Sequence, residues 1–221
     1  MNQVPGSESA DAILSVVLEL LESGGHDAVQ MREVARRARV SPLTIYKLFP
    51  GRDELVVAAL QRWLAANSGA SPAPPTPDET LYDGLMRVFR HVFEPWERSP
   101  RMLEAYDRAR EGPGGRRLDQ QTMGAIEPVA RAILAGGDPD YISDVELILT
   151  NMTYAVIGQY AKGELDITAI LPTLERAVLR LTTNNESAAS AAHARRNRQG
   201  GRDPASSARL DQHDTADPGG A

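Results

Sequence analysis

The chain's 221 residues, 42% of them hydrophobic, suffice for one large domain or a small domain joined to a larger one, and exclude a stapled miniprotein. The absence of cysteine removes disulfides, thiolate nucleophiles and thiolate metal sites together. A formal charge of -6 excludes indiscriminate coating of nucleic acid, so any grip on phosphate has to come from a local basic patch.

Apolar residues recur at helical spacing from Asp11 to Glu22, through Ile13, Leu14, Val17, Leu18, Leu20 and Leu21, until Gly24 and Gly25 stop the pattern. Met31 to Ala38 reads as a second, short helix. Ser41 then offers an N-cap and Pro42 a first helical position, which predicts a third helix from Pro42 to about Leu48. Pro50 and Gly51 break it, and Leu55, Val56, Ala59, Leu60, Trp63 and Leu64 form the apolar stripe of a fourth. Asn67 to Pro77, NSGASPAPPTP, is too rich in proline and small polar residues to pack and reads as a linker. Beyond it the pattern predicts a fifth helix near Glu79 to Phe93, a sixth from the Ser99 cap, and a seventh from about Arg116 to Leu134. An eighth runs from Pro139 or Asp140 to Ala161, and a ninth over Asp166 to Thr182, where Pro172 makes a kink or marks the true start.

No segment shows sustained strand alternation, so the fold class is all-α with about nine helices. The expected organisation is a three-helix head over 9–50 with a linking helix over 52–66, a helical-bundle body over 78–183, and a tail over 184–221. That tail holds Leu210 as its only large aliphatic residue, and ordering it would cost entropy with little burial in return; it is read as disordered. Its ARRNR run is either a solvated arm or an electrostatic contact. No window approaches the roughly 18 apolar residues of a membrane span, and MNQVPGSESADA lacks the features of a signal peptide, so a cytoplasmic protein is expected.

Charge is concentrated in one place. Between Gln30 and Arg52, six positive residues (Arg32, Arg36, Arg37, Arg39, Lys47, Arg52) face Glu33 alone, a local balance of +5. The same stretch places a short helix, a tight turn and a capped second helix in succession. Two helices joined this closely cross steeply, which lets the second present itself to a DNA major groove about 12 Å wide. The run VQMREVARRARVSPLTIYKLFPGRDEL resembles the helix-turn-helix head of the TetR family of transcription regulators. The residues that carry the resemblance are Val34, Ala35, Ala38, Val40, Ser41, Thr44, Ile45, Tyr46, Phe49, Arg52 and Leu55. The likeness is close over about Ile13 to Leu60, whereas the body matches in helix number and order. Two positions depart from the family pattern. Arg39 stands where glycine is usual, so a left-handed turn there would cost roughly 1 kcal/mol unless the turn is rebuilt. Arg52 stands where lysine is frequent, which keeps the charge.

The resemblance implies a DNA-binding set. Ser41 is a cap before a contact, Pro42 opens the helix, and Leu43 and Thr44 meet base edges or a thymine methyl. Lys47 reaches phosphate or base. Tyr46 is either a phosphate contact or half-buried core, and the phosphate role is preferred because Ile45 and Phe49 can fill the core. Arg52 is expected on phosphate. Arg32, Arg36 and Arg37 form a solvated face of which one or two touch DNA, with Arg32 the candidate. One recognition helix reads few base pairs, so a homodimer is required. The family builds it from the last two helices, and a palindromic operator and repression follow from the same resemblance.

The body carries no catalytic constellation. The chain's four histidines, His26, His91, His193 and His213, share no ligand spacing, and no nucleophile stands beside a base, so neither an enzyme nor a metal or cofactor is expected. Large adaptable side chains recur on successive helices: Met86, Phe89 and Phe93, then Trp96, Met102 and Tyr106, then Met123, then Met152 and Tyr154. Most are ordinary core. Asn151, with Thr150, Thr153 and Gln159, adds polar groups among them, the makeup of a small-molecule pocket. The head is also similar to that of actinobacterial repressors of steroid catabolism, the KstR type, which sense a sterol or its CoA thioester; this implies a large apolar effector. The competing reading is a helical metabolite-binding or interaction protein that does not read DNA.

Overall fold

Apolar stripes at helical spacing organise the chain into nine α-helices among the residues described, which are 5–68, 71–76 and 78–184 of this computed structural model. They are α1 (Pro5–Gly24), α2 (Met31–Ala38), α3 (Pro42–Leu48), α4 (Arg52–Asn67), α5 (Leu81–Arg98), α6 (Pro100–Arg110), α7 (Arg116–Leu134), α8 (Pro139–Ala161) and α9 (Ile167–Thr182). A single 3-10 turn, His26–Ala28, joins α1 to α2. Four helix starts are fixed by side-chain caps, each worth about 1 kcal/mol, and at α9 Asp166 Oδ1 accepts from the Thr168 N–H at 2.9 Å. Ser41 Oγ accepts from the Thr44 N–H at 3.1 Å, Thr80 Oγ1 from the Asp83 N–H at 3.1 Å, and Asp138 Oδ1 from the N–H groups of Asp140 and Tyr141 at 3.1 and 3.0 Å.

Three boundaries differ from the sequence expectation. α1 begins at Pro5, ahead of Asp11. α5 passes through Pro95 to Arg98 instead of stopping at Phe93, because Pro95 sits in the last turns, where its missing N–H costs one ladder bond and its ring is buried. α9 begins at Ile167 and also carries its proline, Pro172, inside, so Pro172 does not mark the start. The expected disordered tail, apart from Asn184, lies outside the described residues.

The linker does not divide the core. One apolar cluster holds Ile13, Val17 and Leu21 of α1, Val34 of α2 and Ile45 of α3, and continues into Phe93 and Trp96 of α5, Met102 and Leu103 of α6, Leu118 of α7 and Ile170 of α9. α4 lies at its centre. Leu55, Val56, Val57, Ala59, Leu60, Trp63 and Leu64 are all buried and point around the helix on several sides, as expected of a helix packed between two layers. Trp63 stacks on Trp96 with ring centroids 4.2 Å apart, and Trp96 meets Tyr106 at 5.3 Å, which joins α4, α5 and α6 through aromatic contacts. A second cluster, with Leu85, Met86, Leu134, Val145, Leu149 and Val178, closes the far end of the body between α5, α7, α8 and α9. Gly84 permits the close approach of α5 to α7: a Cβ there would meet Ile133 Cγ2 at 3.0 Å.

The turn between α2 and α3 is left-handed and has not been rebuilt around its arginine. Arg39 has φ 54° and ψ 39°, the only non-glycine residue with positive φ among those described. The conformation closes α2, with the Arg39 and Val40 N–H groups both returning to the Ala35 carbonyl. Glycine adopts this conformation without the Cβ clash. Arg39→Gly should therefore stabilise the fold by about 1 kcal/mol and raise the melting temperature by roughly 3 °C. An unchanged or lower melting temperature would mean that the arginine side chain offsets the backbone strain.

Candidate nucleic-acid interface and ligand cavity

α3 is anchored by one fully buried side chain, Ile45, with Phe49 partly buried beyond its end. The rest of the helix faces outward. Leu43 is 65% exposed and Tyr46 53%, and Lys47 follows Leu43 by one turn on the side opposite Ile45. Tyr46 is thus not core. Pro42 occupies the first helical position, and Thr44 Oγ1 lies 2.8 Å from the Ser41 hydroxyl, so these two residues shape the helix start.

The positive charge beside α3 is partly spent inside the head. Glu33 accepts from Arg36 at 2.9 and 2.6 Å and from Arg37 at 2.6 Å, and these bonds hold its carboxyl down at about 2. Arg32 and Lys47 are exposed and make no ion pair or side-chain hydrogen bond among the described residues. Arg52 is engaged elsewhere. Its Nε donates to the Val29 carbonyl at 2.6 Å, and its Nη2 donates to the His26 carbonyl at 2.5 Å and lies 3.0 Å from His26 Nδ1. The side chain folds back from the start of α4 and ties down the turn between α1 and α2, so the phosphate role implied by resemblance competes with internal bonds. Burial, then the charges of Arg52 and Arg108, push the His26 imidazole below its usual range. Asp27 on the same turn pairs with Arg108 of α6 at 3.0 Å, and Arg101 of α6 donates to the Ser23 carbonyl. The head turn is therefore bonded to both α4 and α6.

In the body, a cavity of about 450 Å³ lies between α5, α6, α7 and α8. Phe89, Phe93, Trp96, Tyr106, Met123 and Tyr154 line it. Met86, Met102, Asn151 and Met152 do not. Met86 is buried in the far cluster, Met102 in the main core, and Met152 packs against that core from one side. Asn151 is exposed and donates to the Leu147 carbonyl at 2.7 Å. The reason is helical phase: α8 turns Val145, Glu146, Leu149, Thr150, Thr153, Tyr154 and Ile157 to the cavity, and 151 and 152 fall outside that stripe. α7 supplies Asp119, Thr122, Ile126, Glu127 and Arg131, which the sequence reading did not single out; their three- and four-residue spacing alongside Met123 was the available signal.

Polar groups gather at two places in this cavity. Inside, the Tyr106 hydroxyl donates to Asp119 Oδ1 at 3.0 Å, and burial followed by the Asp119 charge pushes that phenol well above its ordinary range. Tyr154 is raised by the same two causes, opposed by Arg110, whose guanidinium sits 4.6 Å from the ring centroid. The exposed residues Glu127, Arg131 and Glu146 form the rim, with Arg131 bonded to Glu127. A second cavity of about 160 Å³ shares Val92, Thr122 and Ile126 with the first and reaches Leu64, Ala65 and Ser68 of α4. Ser68 Oγ and His91 Nε2 are buried there without a hydrogen-bond partner among the described residues.

α8 and α9 carry exposed apolar side chains: Leu147 at 63%, Ile148 at 44% and Leu179 at 48%. Among the described residues, no helix is long and apolar enough to cross a membrane, and no group of His, Asp or Glu is placed to hold a metal.

Comparison with known proteins matches both parts of the chain to one family. Residues 13–59 match the bacterial regulatory proteins of the tetR family, and residues 78–181 match the tetracyclin repressor-like C-terminal domain. The HTH-type transcriptional repressor KstR of Rhodococcus jostii is 33% identical over 102 residues, 46% of this chain and 47% of that protein. KstR of Mycolicibacterium smegmatis is 33% identical over 102 residues, 46% and 50% of the two chains, and KstR of Mycobacterium tuberculosis 30% over 135 residues, 60% and 61%. The chain spans about half the length of the first two relatives. The crystal structure of a TetR transcriptional regulator from Rhodococcus sp. RHA1 shares the fold at a TM-score of 0.61 and 20% identity, over 83% of this chain and 100% of that one. A TetR-like transcriptional regulator from the same source gives 0.53 and 19%, over 80% and 97%. With both head and body matched and the helix order shared, the chain belongs to the TetR family of bacterial regulatory proteins.

Proposed function

We propose that the chain is a ligand-responsive transcriptional repressor that binds a palindromic operator as a homodimer and leaves it when a large apolar effector, a steroid or acyl thioester, fills the body. The observation that carries the DNA-binding part is the outward face of α3, where Leu43, Tyr46 and Lys47 stand exposed beside the uncommitted Arg32. An exposed leucine on a short helix has no folding role to explain it and suits a thymine methyl; Lys47, Arg32 and the Tyr46 hydroxyl suit phosphate, and Thr44 a base edge. Ser41 and Pro42 contribute by fixing the helix start, and Arg52 by setting α4 against the head turn. The exposed leucines of α8 and α9 support the dimer.

The effector reading rests on the size and apolar walls of the main cavity and on the likeness to KstR proteins. Its coupling to the head has a physical route. Trp96 lines the cavity and stacks on Trp63 of α4, and α4 carries Arg52 to the head turn. A ligand shifts the head only by its differential affinity for the two arrangements: release of most complexes needs a preference of about a hundredfold, about 2.7 kcal/mol.

The test is an anisotropy titration of the purified chain into a fluorescent duplex spanning the upstream region of its own gene. The expected result is saturable binding, two chains or a multiple of two per duplex, far tighter than to a scrambled duplex. Equal affinity for both duplexes at every salt concentration would favour the reading as a binding protein that does not read DNA.

A further inference from the structure

The main cavity has a sign. Its charged lining consists of Asp119, Glu127 and Glu146 against Arg131, a net of -2, and Arg131 is already bonded to Glu127. No lysine or histidine lines it. Arg110 lies over the Tyr154 ring and pairs with Asp107 at 3.3 Å, and it is not part of the lining. Beside Tyr106, Asp119 accepts the phenol hydroxyl through Oδ1, while Oδ2 has no hydrogen-bond partner among the described residues. Asp119 is half-buried, and this second oxygen is an acceptor open to a donor carried by a bound molecule. Trp96 and Tyr106 add aromatic rings to the lining, and aromatic lining favours a cation over an anion.

Resting on the apolar-effector reading above, we infer that the effector is a largely apolar molecule without negative charge that directs an amine or hydroxyl at Asp119. This divides the two classes left open. A steroid bearing a hydroxyl or amine satisfies the unused oxygen and leaves the rim undisturbed. An acyl-CoA thioester must bring a diphosphate and a further phosphate past Glu127 and Glu146, where the one cation, Arg131, is already bonded to Glu127, and a free fatty acid places its carboxylate against Asp119 or the rim. Like charges in a poorly solvated cavity repel strongly.

One skeleton with different head groups tests this without changing the apolar contacts. Androstane carrying a 3-amine, a 3-hydroxyl or a 3-hemisuccinate, together with a steroidal CoA thioester, is titrated into the full chain. The readout is the fluorescence of its two tryptophans, one of which lines the cavity. The expected order in the wild-type chain is amine or hydroxyl ahead of hemisuccinate and thioester by tenfold or more. Asp119→Asn keeps an acceptor for Tyr106 and should weaken the amine at least tenfold while improving the hemisuccinate; circular dichroism checks its fold, and the wild-type ranking stands without it. An amine ahead of the hydroxyl means a cationic effector, and parity means a neutral donor; both support the inference. Hemisuccinate or thioester binding as tightly as the amine would overturn it, as would an Asp119→Asn chain with an unaltered ranking. If no member binds at saturation, the large apolar effector itself falls, and this inference with it.

Discussion

Replacing Arg32 and Lys47 together by alanine should lower operator affinity on the order of ten thousandfold at 0.1 M salt and leave the fold intact. Both side chains are exposed and bonded to nothing else in the described chain, so their removal breaks no internal contact. Each phosphate neutralised contributes close to one unit to the slope of log affinity against log salt, and a dimer presents each residue twice, so the slope should flatten by about four units. Extrapolated to 1 M salt, the variant and the wild type should bind nearly alike. A loss of affinity with an unchanged slope would place these two residues off the phosphates. Arg36→Ala is the control: that guanidinium is committed to Glu33, and its loss should move the slope by less than one unit.

The second large effect concerns assembly. Leu147→Asp with Leu179→Asp should convert the dimer to a monomer by sedimentation, with unchanged helix content. Two-fold symmetry removes four leucines from one interface, at about 1.5 kcal/mol each, before the cost of burying aspartate is added. About 6 kcal/mol is more than four orders of magnitude in the dimer Kd. Operator binding should fall with it, because a single head reads too few base pairs. A double variant that sediments as a dimer would locate the interface elsewhere.

Much of the fold was legible because its signals are local. Ser41-Pro42 and Asp138-Pro139 announce helix starts through capping chemistry that needs no tertiary information, and the i, i+4, i+7 stripe of Ile13, Val17 and Leu20 gives α1 its buried face. Helix ends at prolines were less legible. The α5 pattern was followed only to Phe93, and Pro172 read as a kink or a helix start, yet Pro95 and Pro172 each sit inside a helix held by packing on neighbours, and tertiary contacts outweigh one lost ladder bond.

The candidate site shows the same division. On α3, exposure follows from the single inward residue Ile45, and the outward set could be read directly. The cavity depends on which stripe of each helix meets its neighbours. That phase separates Tyr154 from Met152 and Asn151 on one helix, and composition alone does not reveal it. Asp119 reads in sequence as one more surface carboxylate; only the packing of α7 against α6 brings it to the Tyr106 hydroxyl. Arg52 is the converse case. Its charge suggested phosphate, and the turn folded next to it supplies two carbonyls that a sequence does not place within reach.

The central claim is that two copies of the α3 face read DNA together, and it is tested most directly by selecting bound sequences from a random duplex pool with the full-length chain. The account predicts enrichment of an inverted repeat whose half-site centres lie about one or more helical turns apart, roughly 10 base pairs or a multiple. No enrichment over input, or enrichment of a lone half-site with no partner, would contradict it.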